Sequence, residues 1–327
     1  MANYVNPDDA IELETTIYIS GEMEATGTAY INRPVSIVPV GNVTITRTSE
    51  SDYIFSVNTN LTLQGSESVT ITLSGDSEKE VPAPLIYCVG SATTDLQYCT
   101  LENANCGNSS YGSALYASND SVINMSNCKV KNNTGVAVVL NNTGSNKIEN
   151  SIFTANVAVN TGIYASAIYV SSETANVELI NCEFSNNKLI KPNSDDYYFS
   201  DLGIEEATSV TLKACSFDAY DENNFNVYAY ICPELNIAGS TKLPQLFFYN
   251  TYTYANLGIK VGENLSLIDE TSINITAYYY DDTELSYDLD LEFFALEDGS
   301  SLPNGIFILN SADYTLSADG TITKKTE

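Results

Sequence analysis

The sequence predicts an all-β protein, a right-handed parallel β-helix (solenoid) with a less regular C-terminal β region. Three observations predict this fold class. A short phrase built around Cys or Ser returns five times between residues 96 and 220. A second phrase, written GSALYAS, GVAVVLN or ASAIYVS, precedes three of these returns at a nearly constant distance. Outside the phrases, short β-branched and aromatic runs alternate with polar turns, which is typical of strands.

The first phrase has an aliphatic residue three positions before a small pivot and an aliphatic residue or Phe two positions after it. Because side chains alternate between the faces of a strand, we expect both positions to point into a core, with a bend near the pivot. Apolar residues do not recur at helical spacing. The pivots, which we expect to form a structural ladder, are Cys99, Cys128, Ser151, Cys182 and Cys215, spaced 29, 23, 31 and 33 residues apart.

A unit of this size cannot bury its inner face alone, so stacked copies are required to build a core. When coils stack, chemically similar residues at equivalent positions contact one another, and each strand pairs with the equivalent strands of the coils above and below. Asn103, Asn132 and Asn186 fall at the expected bends. Asn tolerates the left-handed backbone conformation and bonds to neighbouring backbone groups, so it suits these positions.

The same residues carry a family resemblance. IFTAN and EFSNN contain an F-x-x-N repeat, and GSALY, GVAVV and ASAIY look like degraded forms of its G-G-A-[ILV] partner. Together they resemble the repeats of polymorphic outer membrane proteins and of adhesin-like β-helix proteins, within the pectate-lyase-like superfold. The stretch 31–65 resembles the opening coils of secreted or lipid-anchored β-helix proteins of gut bacteria. The resemblance spans roughly residues 15–245 and implies the fold, whereas its members include both inert adhesins and polysaccharide lyases.

Three segments are expected along the chain. Residues 1–15 form an N-terminal cap, with a short helix within 4–14 that covers the open end of the first coil. Residues 16–250 form the β-helix. Residues 251–327 form either irregular final coils or a small β domain that closes the stack, and Asp319-Gly320 predicts a hairpin within them.

The charge of the chain limits its partners. With 42 acidic and 13 basic residues the net charge is −29, which argues against nucleic acid and anionic membrane surfaces as partners. No apolar run is long enough to insert into and span a bilayer. The start MANYVNPDDA lacks the basic and apolar regions of a signal peptide. We expect an extracellular or cell-surface protein whose export signal has been removed from this sequence.

Seven cysteines leave two interpretations open. In an exported protein they suggest disulfides, with one cysteine left over. At a single repeat position they suggest small buried hydrophobic side chains, and Ser151 at the same position favours this second interpretation. A zinc site is not expected, since the sequence has no His and no C-x-x-C pair, and no cofactor is expected.

The longest interruption between phrases, residues 188–206, holds the predicted binding residues Asp195, Asp196, Tyr197 and Tyr198. Paired carboxylates beside aromatic rings suit the rim of a sugar site, or a general acid and base. The alternative is a solvated loop whose tyrosines fold back on the coil. An acidic patch at Asp281, Asp282 and Glu284 likewise suits either loosely held calcium or solvated charge.

Enzymatic chemistry finds little support in the sequence. A Ser or Cys nucleophile normally needs a His base, and the chain has no His. A lyase of this fold would be expected to carry its Arg or Lys base within the repeat region. Arg33 and Arg47 both lie outside that region. We therefore expect a non-enzymatic, adhesin-like protein or surface stalk that binds glycans or host-surface polymers. The alternative is a polysaccharide-active lyase or glycoside hydrolase.

Overall fold

The computed structural model of the chain describes residues 14–50, 52–107, 109, 111–159, 165–190, 198–219, 224–251, 258–262, 265–267, 272–280, 294–296, 305–311, 314–318 and 320–325. These residues form strands, bends and turns, and none of them is helical. The capping helix expected within residues 4–14 falls on residues 4–13, which lie outside the described ranges, and on Glu14, which is not helical.

The strands form a stack of coils that pair in parallel along three faces. Faces 1 and 2 are joined in the first two coils, because β1 (Thr15–Ala25) and β3 (Val35–Arg47) each pair on both sides of a bend. Face 1 continues with β5 (Leu61–Gln64), β8 (Thr93–Gln97), β11 (Val122–Ser126), β14 (Ser145–Glu149), β18 (Asn176–Ile180), β22 (Ser209–Lys213), β25 (Glu234–Ala238), β28 (Gly258–Val261) and β31 (Phe294–Leu296). Face 2 continues with β6 (Ile71–Ser74), β9 (Cys99–Glu102), β12 (Lys129–Lys131), β15 (Ile152–Thr154), β19 (Glu183–Ser185) and β23 (Ser216–Phe217).

Face 3 is a separate parallel sheet. Its strands are β2 (Ala29–Ile31), β4 (Phe55–Val57), β7 (Ile86–Cys88), β10 (Leu115–Asn119), β13 (Val138–Asn142), β17 (Ile168–Ser171), β21 (Tyr198–Glu206), β24 (Asn224–Ile231), β27 (Gln245–Thr251), β30 (Ile273–Tyr280) and β32 (Phe307–Leu309). The remaining described strands are two short parallel pairs, β16 (Val157–Val159) with β20 (Lys188–Ile190) and β26 (Ser240–Thr241) with β29 (Ser266–Leu267), and an antiparallel hairpin of β33 (Tyr314–Leu316) with β34 (Ile322–Lys324).

The core contains the residues that the repeat predicts. Residues three before each pivot are in register on face 1, and those two after it are in register on face 2. Phe153, Phe184 and Phe217 stack with ring centroids 5.0 and 4.6 Å apart. All of these side chains are buried, so each coil covers the apolar face of its neighbour. The all-β class and the parallel β-helix arrangement are confirmed.

Left-handed residues form the bends on both sides of face 2. One set directly precedes the pivots and consists of Tyr98, Asn127, Asn150, Asn181 and Ala214. The other set follows the pivots by four positions and consists of Asn103, Asn132, Ala155 and Asn186. Non-glycine residues rarely adopt this conformation, and Asn is among the side chains that do so most readily. Asn103, Asn132 and Asn186 therefore occupy bends, as the sequence predicts.

The stack continues beyond residue 250. On face 3, β27 pairs in parallel with β30 and β30 with β32, while on face 1 β28 pairs with β31. The strands β33 and β34 then form the hairpin predicted from Asp319-Gly320. Tyr314 and Leu316 of this hairpin pack against the main core, so the hairpin lies on the stack.

Candidate functional site

The predicted binding residues fall mainly outside the described ranges. Asp195, Asp196 and Tyr197 are not described, nor are Asp281, Asp282 and Glu284 of the acidic patch. Tyr198 begins β21, where its backbone pairs with that of Asn224 in the next coil. Binding by the 188–206 insert stays a prediction, and other surfaces of the stack provide the candidate sites.

The five pivots lie in the core beside the bend between faces 1 and 2, and each is at most 2% exposed. The sulfur atoms of Cys128, Cys182 and Cys215 lie 3.3, 3.4 and 3.2 Å from main-chain oxygens of Leu96, Ile148 and Leu179, each in the preceding coil. Ser151 Oγ donates to Glu149 O at 2.8 Å. The position therefore holds a small side chain that also donates a hydrogen bond, which explains why Cys and Ser alternate there. All seven cysteines are free and buried.

An open groove lies on the outer surface of face 1 and crosses β8, β11 and β14. Its volume is about 220 Å³, and its lining includes Asp95, Gln97, Asn124, Ser126, Lys147 and Glu149. The register places Asn124 between Asp95 and Lys147 on neighbouring coils. Because side chains alternate along a strand, the same strands send aliphatic side chains into the core and polar ones into the groove.

Each charged side chain of the groove has a polar partner within the lining. Asn124 Nδ2 donates to Asp95 Oδ1 at 2.7 Å, and Lys147 Nζ lies 2.7 Å from Glu149 Oε2. The hydrogen bond and charge of Glu149, together with the more distant Glu178, raise the pKa of Lys147. The groove thus offers carboxylate, amide, hydroxyl and ammonium groups in a row, which suits a ligand with many hydroxyl groups.

A positional signal for this groove is present in the sequence but is easily missed. Asp95, Asn124, Lys147, Glu178 and Thr211 each stand four residues before a pivot (99−4, 128−4, 151−4, 182−4, 215−4). They share a position and not a residue type, so no repeated letter marks them. Asp95 and Glu183 lie on different faces, Asp95 on β8 of face 1 and Glu183 on β19 of face 2.

A group of tyrosines, which we name the tyrosine cluster, lies on the outer side of face 3 near the N-terminal end. It consists of Tyr30, Tyr53, Tyr87, Tyr111 and Tyr116. Tyr87 and Tyr116 are in register on β7 and β10, and their rings stack at 5.6 Å. Tyr53 stacks on Tyr87 at 4.9 Å, and Tyr111 meets Tyr116 edge-on at 5.0 Å.

Beyond the tyrosine cluster the outer side of face 3 is covered. Val139, Tyr169, Tyr228 and Phe247 are buried there in a second apolar cluster, which also contains Leu189 from β20 and reaches Tyr116 of the tyrosine cluster. Tyr30 and Tyr111, in contrast, are 66% and 48% exposed. The aromatic surface is therefore open to solvent at the tyrosine cluster.

Within the described ranges, His, Cys, Asp and Glu side chains do not gather in groups of three or more that could hold a metal ion. The same ranges contain no helix of the length and apolarity needed to cross a membrane.

Comparisons with protein-family models, with curated proteins and with solved structures found no match to this chain. The function is therefore inferred from the groove and the tyrosine cluster.

Proposed function

We propose that the protein is a non-enzymatic, adhesin-like β-helix of the cell surface or extracellular space, and that the face 1 groove binds a glycan. The ligand is a polymer or oligosaccharide that lies across neighbouring coils. Its hydroxyl groups bond to the amides and charged groups of the groove.

The observation that carries the proposal is the pairing inside the groove. Asp95 and Lys147 each have a partner within the lining, at 2.7 Å in both cases. Carboxylate and ammonium groups that are held in this way keep further hydrogen-bonding capacity for a neutral ligand. The net charge of −29 favours an uncharged ligand over an acidic one.

A second candidate function is polysaccharide cleavage, because two carboxylates, those of Asp95 and Glu149, line the same groove. Their backbone positions are separated by two coils and two residues along the strand, which corresponds to about 12 Å. Glycoside hydrolases hold their two carboxyl groups roughly 5 to 9.5 Å apart. The carboxyl groups themselves each have a partner, Asn124 for Asp95 and Lys147 for Glu149, and these partners favour binding over cleavage.

A glycan array followed by affinity measurement on each hit tests the proposal. Asn124→Ala and Lys147→Ala are expected to weaken binding about tenfold each, since each removes a polar partner of the ligand. Lys260→Ala is the matched control, because Lys260 forms a similar ion pair with Glu234 at 2.6 Å further along face 1. Absence of any hit, or equal losses in Lys147→Ala and Lys260→Ala, would contradict binding in the groove.

The cleavage alternative is tested on the same hits by measuring new reducing ends. Appearance of reducing ends that is lost in both Asp95→Asn and Glu149→Gln would replace the non-enzymatic proposal with the hydrolase. Unchanged chain length over a long incubation supports binding alone.

A further inference from the structure

We propose that the tyrosine cluster is a second binding site, which takes the apolar C–H face of an uncharged pyranose ring. The site lies on face 3 and shares no residue with the face 1 groove. Binding at the tyrosine cluster does not depend on whether the groove binds a glycan.

The ring geometry determines where a sugar can stack. Tyr53, Tyr87 and Tyr116 form a near-parallel pile, with interplanar angles of 13° and 3°. Rings inside a pile cover one another's faces and present only their edges and hydroxyls. Tyr111 is inclined by 73° to Tyr116 and keeps 48% of its surface exposed. A free ring face is therefore available at Tyr111.

Tyr30 provides a second free ring. It pairs in register with Ser56, which pairs with Tyr87, so a small side chain separates the two tyrosines on the strand ladder. Burial, and then electrostatic repulsion from Tyr87, Tyr111, Tyr30 and Asp52, raises the pKa of Tyr53. With 66% of its surface exposed, Tyr30 flanks the pile on the side of the first coil.

The polar groups around the rings suit sugar hydroxyls. Tyrosine hydroxyls both donate and accept hydrogen bonds. Asp52 accepts from Ser49 Oγ at 2.7 Å, and a carboxylate accepts several hydrogen bonds at once. A flat apolar face rimmed by such groups matches a pyranose ring.

Charge and rigidity restrict the ligand further. The acidic chain disfavours uronic and sialic acids, so the site is assigned to neutral sugars. The pile holds Tyr53, Tyr87 and Tyr116 in place before any ligand arrives, which lowers the entropic cost of binding.

Titration of the folded protein with methyl glycosides of galactose, glucose and mannose tests the site, with glucuronate as the charged counterpart. The chain contains no Trp, so the emission comes from its 23 tyrosines, and a change that is lost in Tyr111→Ala or Tyr30→Ala reports on the cluster. We expect at least one neutral glycoside to bind, and Tyr111→Ala and Tyr30→Ala each to weaken that binding about tenfold. Glucuronate should bind more weakly, most clearly at low salt.

Tyr18→Ala is the control, because Tyr18 is 68% exposed on β1 outside the cluster. Equal losses in Tyr18→Ala and Tyr111→Ala, or no binding of any neutral glycoside, would overturn the site. Lys260→Ala, which lies outside both sites, should retain the emission change, and the described residues of the groove lining include no tyrosine, so binding in the groove does not produce that change. That result separates failure of this site from failure of the proposed groove.

Discussion

Asn156 donates a hydrogen bond from Nδ2 to Oδ1 of Asn187 at 3.0 Å, across two neighbouring coils and inside the core. Asn133 donates to Asn156 in the same way at 2.9 Å, and Asn187 donates to Asp201 Oδ1 at 2.9 Å. Asn226 donates to the other oxygen of Asp201 at 3.0 Å. This buried row, which we name the asparagine ladder, satisfies backbone groups at bends where regular strand pairing stops.

Asn156→Ala is expected to destabilise the fold by about 3 kcal/mol, because it leaves buried partners on both neighbouring coils unbonded. The lost bonds include those to Val130 O, to Asn187 Oδ1 and from the Asn133 amide. The midpoint of urea unfolding measures the change. Asn236→Ala is the control, since Asn236 is half-buried on the outer side of face 1 and should cost about 0.5 kcal/mol. Equal shifts would show that the ladder is not a stabilising element.

Cys182→Ser should be tolerated, with a change below about 1 kcal/mol, because a serine hydroxyl replaces the thiol as donor at that bend, as it does at Ser151. Cys182→Val should cost about 1 to 3 kcal/mol, since the branched side chain overfills a buried site and removes the donor facing Ile148 O. Thermal unfolding of the two variants compares them. Equal stability of the Ser and Val variants would mean that the pivot needs apolar volume alone.

The thiols should resist alkylation in the folded protein at pH 8, because all seven are buried away from the reagent, although hydrogen bonds with Cys99 and Cys215 lower the pKa of Cys128 and Cys182. Burial raises the pKa of Cys88, Cys106 and Cys232 to about 12, and only the thiolate reacts quickly. In denaturant without reductant, all seven cysteines should become reactive, because all are free. Thiol counting with a chromogenic disulfide reagent measures both states. A denatured count below seven would reveal disulfides and contradict the structure.

Phe184→Ala should cost about 3 to 5 kcal/mol, because Phe184 is fully buried between two stacked rings. Glu183→Ala on the same strand is the control, since Glu183 faces solvent and should change stability by no more than about 0.5 kcal/mol. Urea unfolding of both variants gives the comparison. Similar losses would mean that the inward and outward faces of β19 are assigned wrongly.

The inner residues of the stack could be predicted from the sequence because burial restricts them to few residue types. Leu96, Met125 and Ile148 are all buried apolar side chains, so the repeat can be recognised from residue type alone. The outward-facing residues of the groove could not be predicted from the sequence, for the opposite reason. Asp95, Asn124 and Lys147 have no chemical property in common, and only their shared distance from the pivot relates them.

The asparagine ladder and the tyrosine cluster show a second limit. The F-x-x-N motif marks Asn156 and Asn187, yet a sequence motif does not tell whether an amide is solvated or buried. In the tyrosine cluster, Tyr53 stacks on Tyr87 of the next coil, and the residue in register with Tyr87 on β4 is the small Ser56. That contact depends on the register of two coils, which residue spacing along one strand does not specify.

Glu205→Gln is expected to stabilise the protein at pH 7, with an advantage that narrows as the pH falls towards 5. Burial, and then the charge of Glu206, raise the pKa of Glu205 above its ordinary value of 4.5, although Tyr169 donates its hydroxyl to this carboxylate. A raised pKa means that the folded chain holds the proton more tightly than the unfolded chain. The contribution of Glu205 to stability is therefore fully present below the unfolded pKa and is lost as the pH rises through the folded pKa.

Thermal midpoints of the Glu205→Gln variant and the parent between pH 5 and 8 measure the difference. Glu173→Gln is the control, because it removes the same charge at an exposed position. If both variants shift the midpoint equally at every pH, the ionised Glu205 carries no penalty of its own and the effect is only relief of the net negative charge.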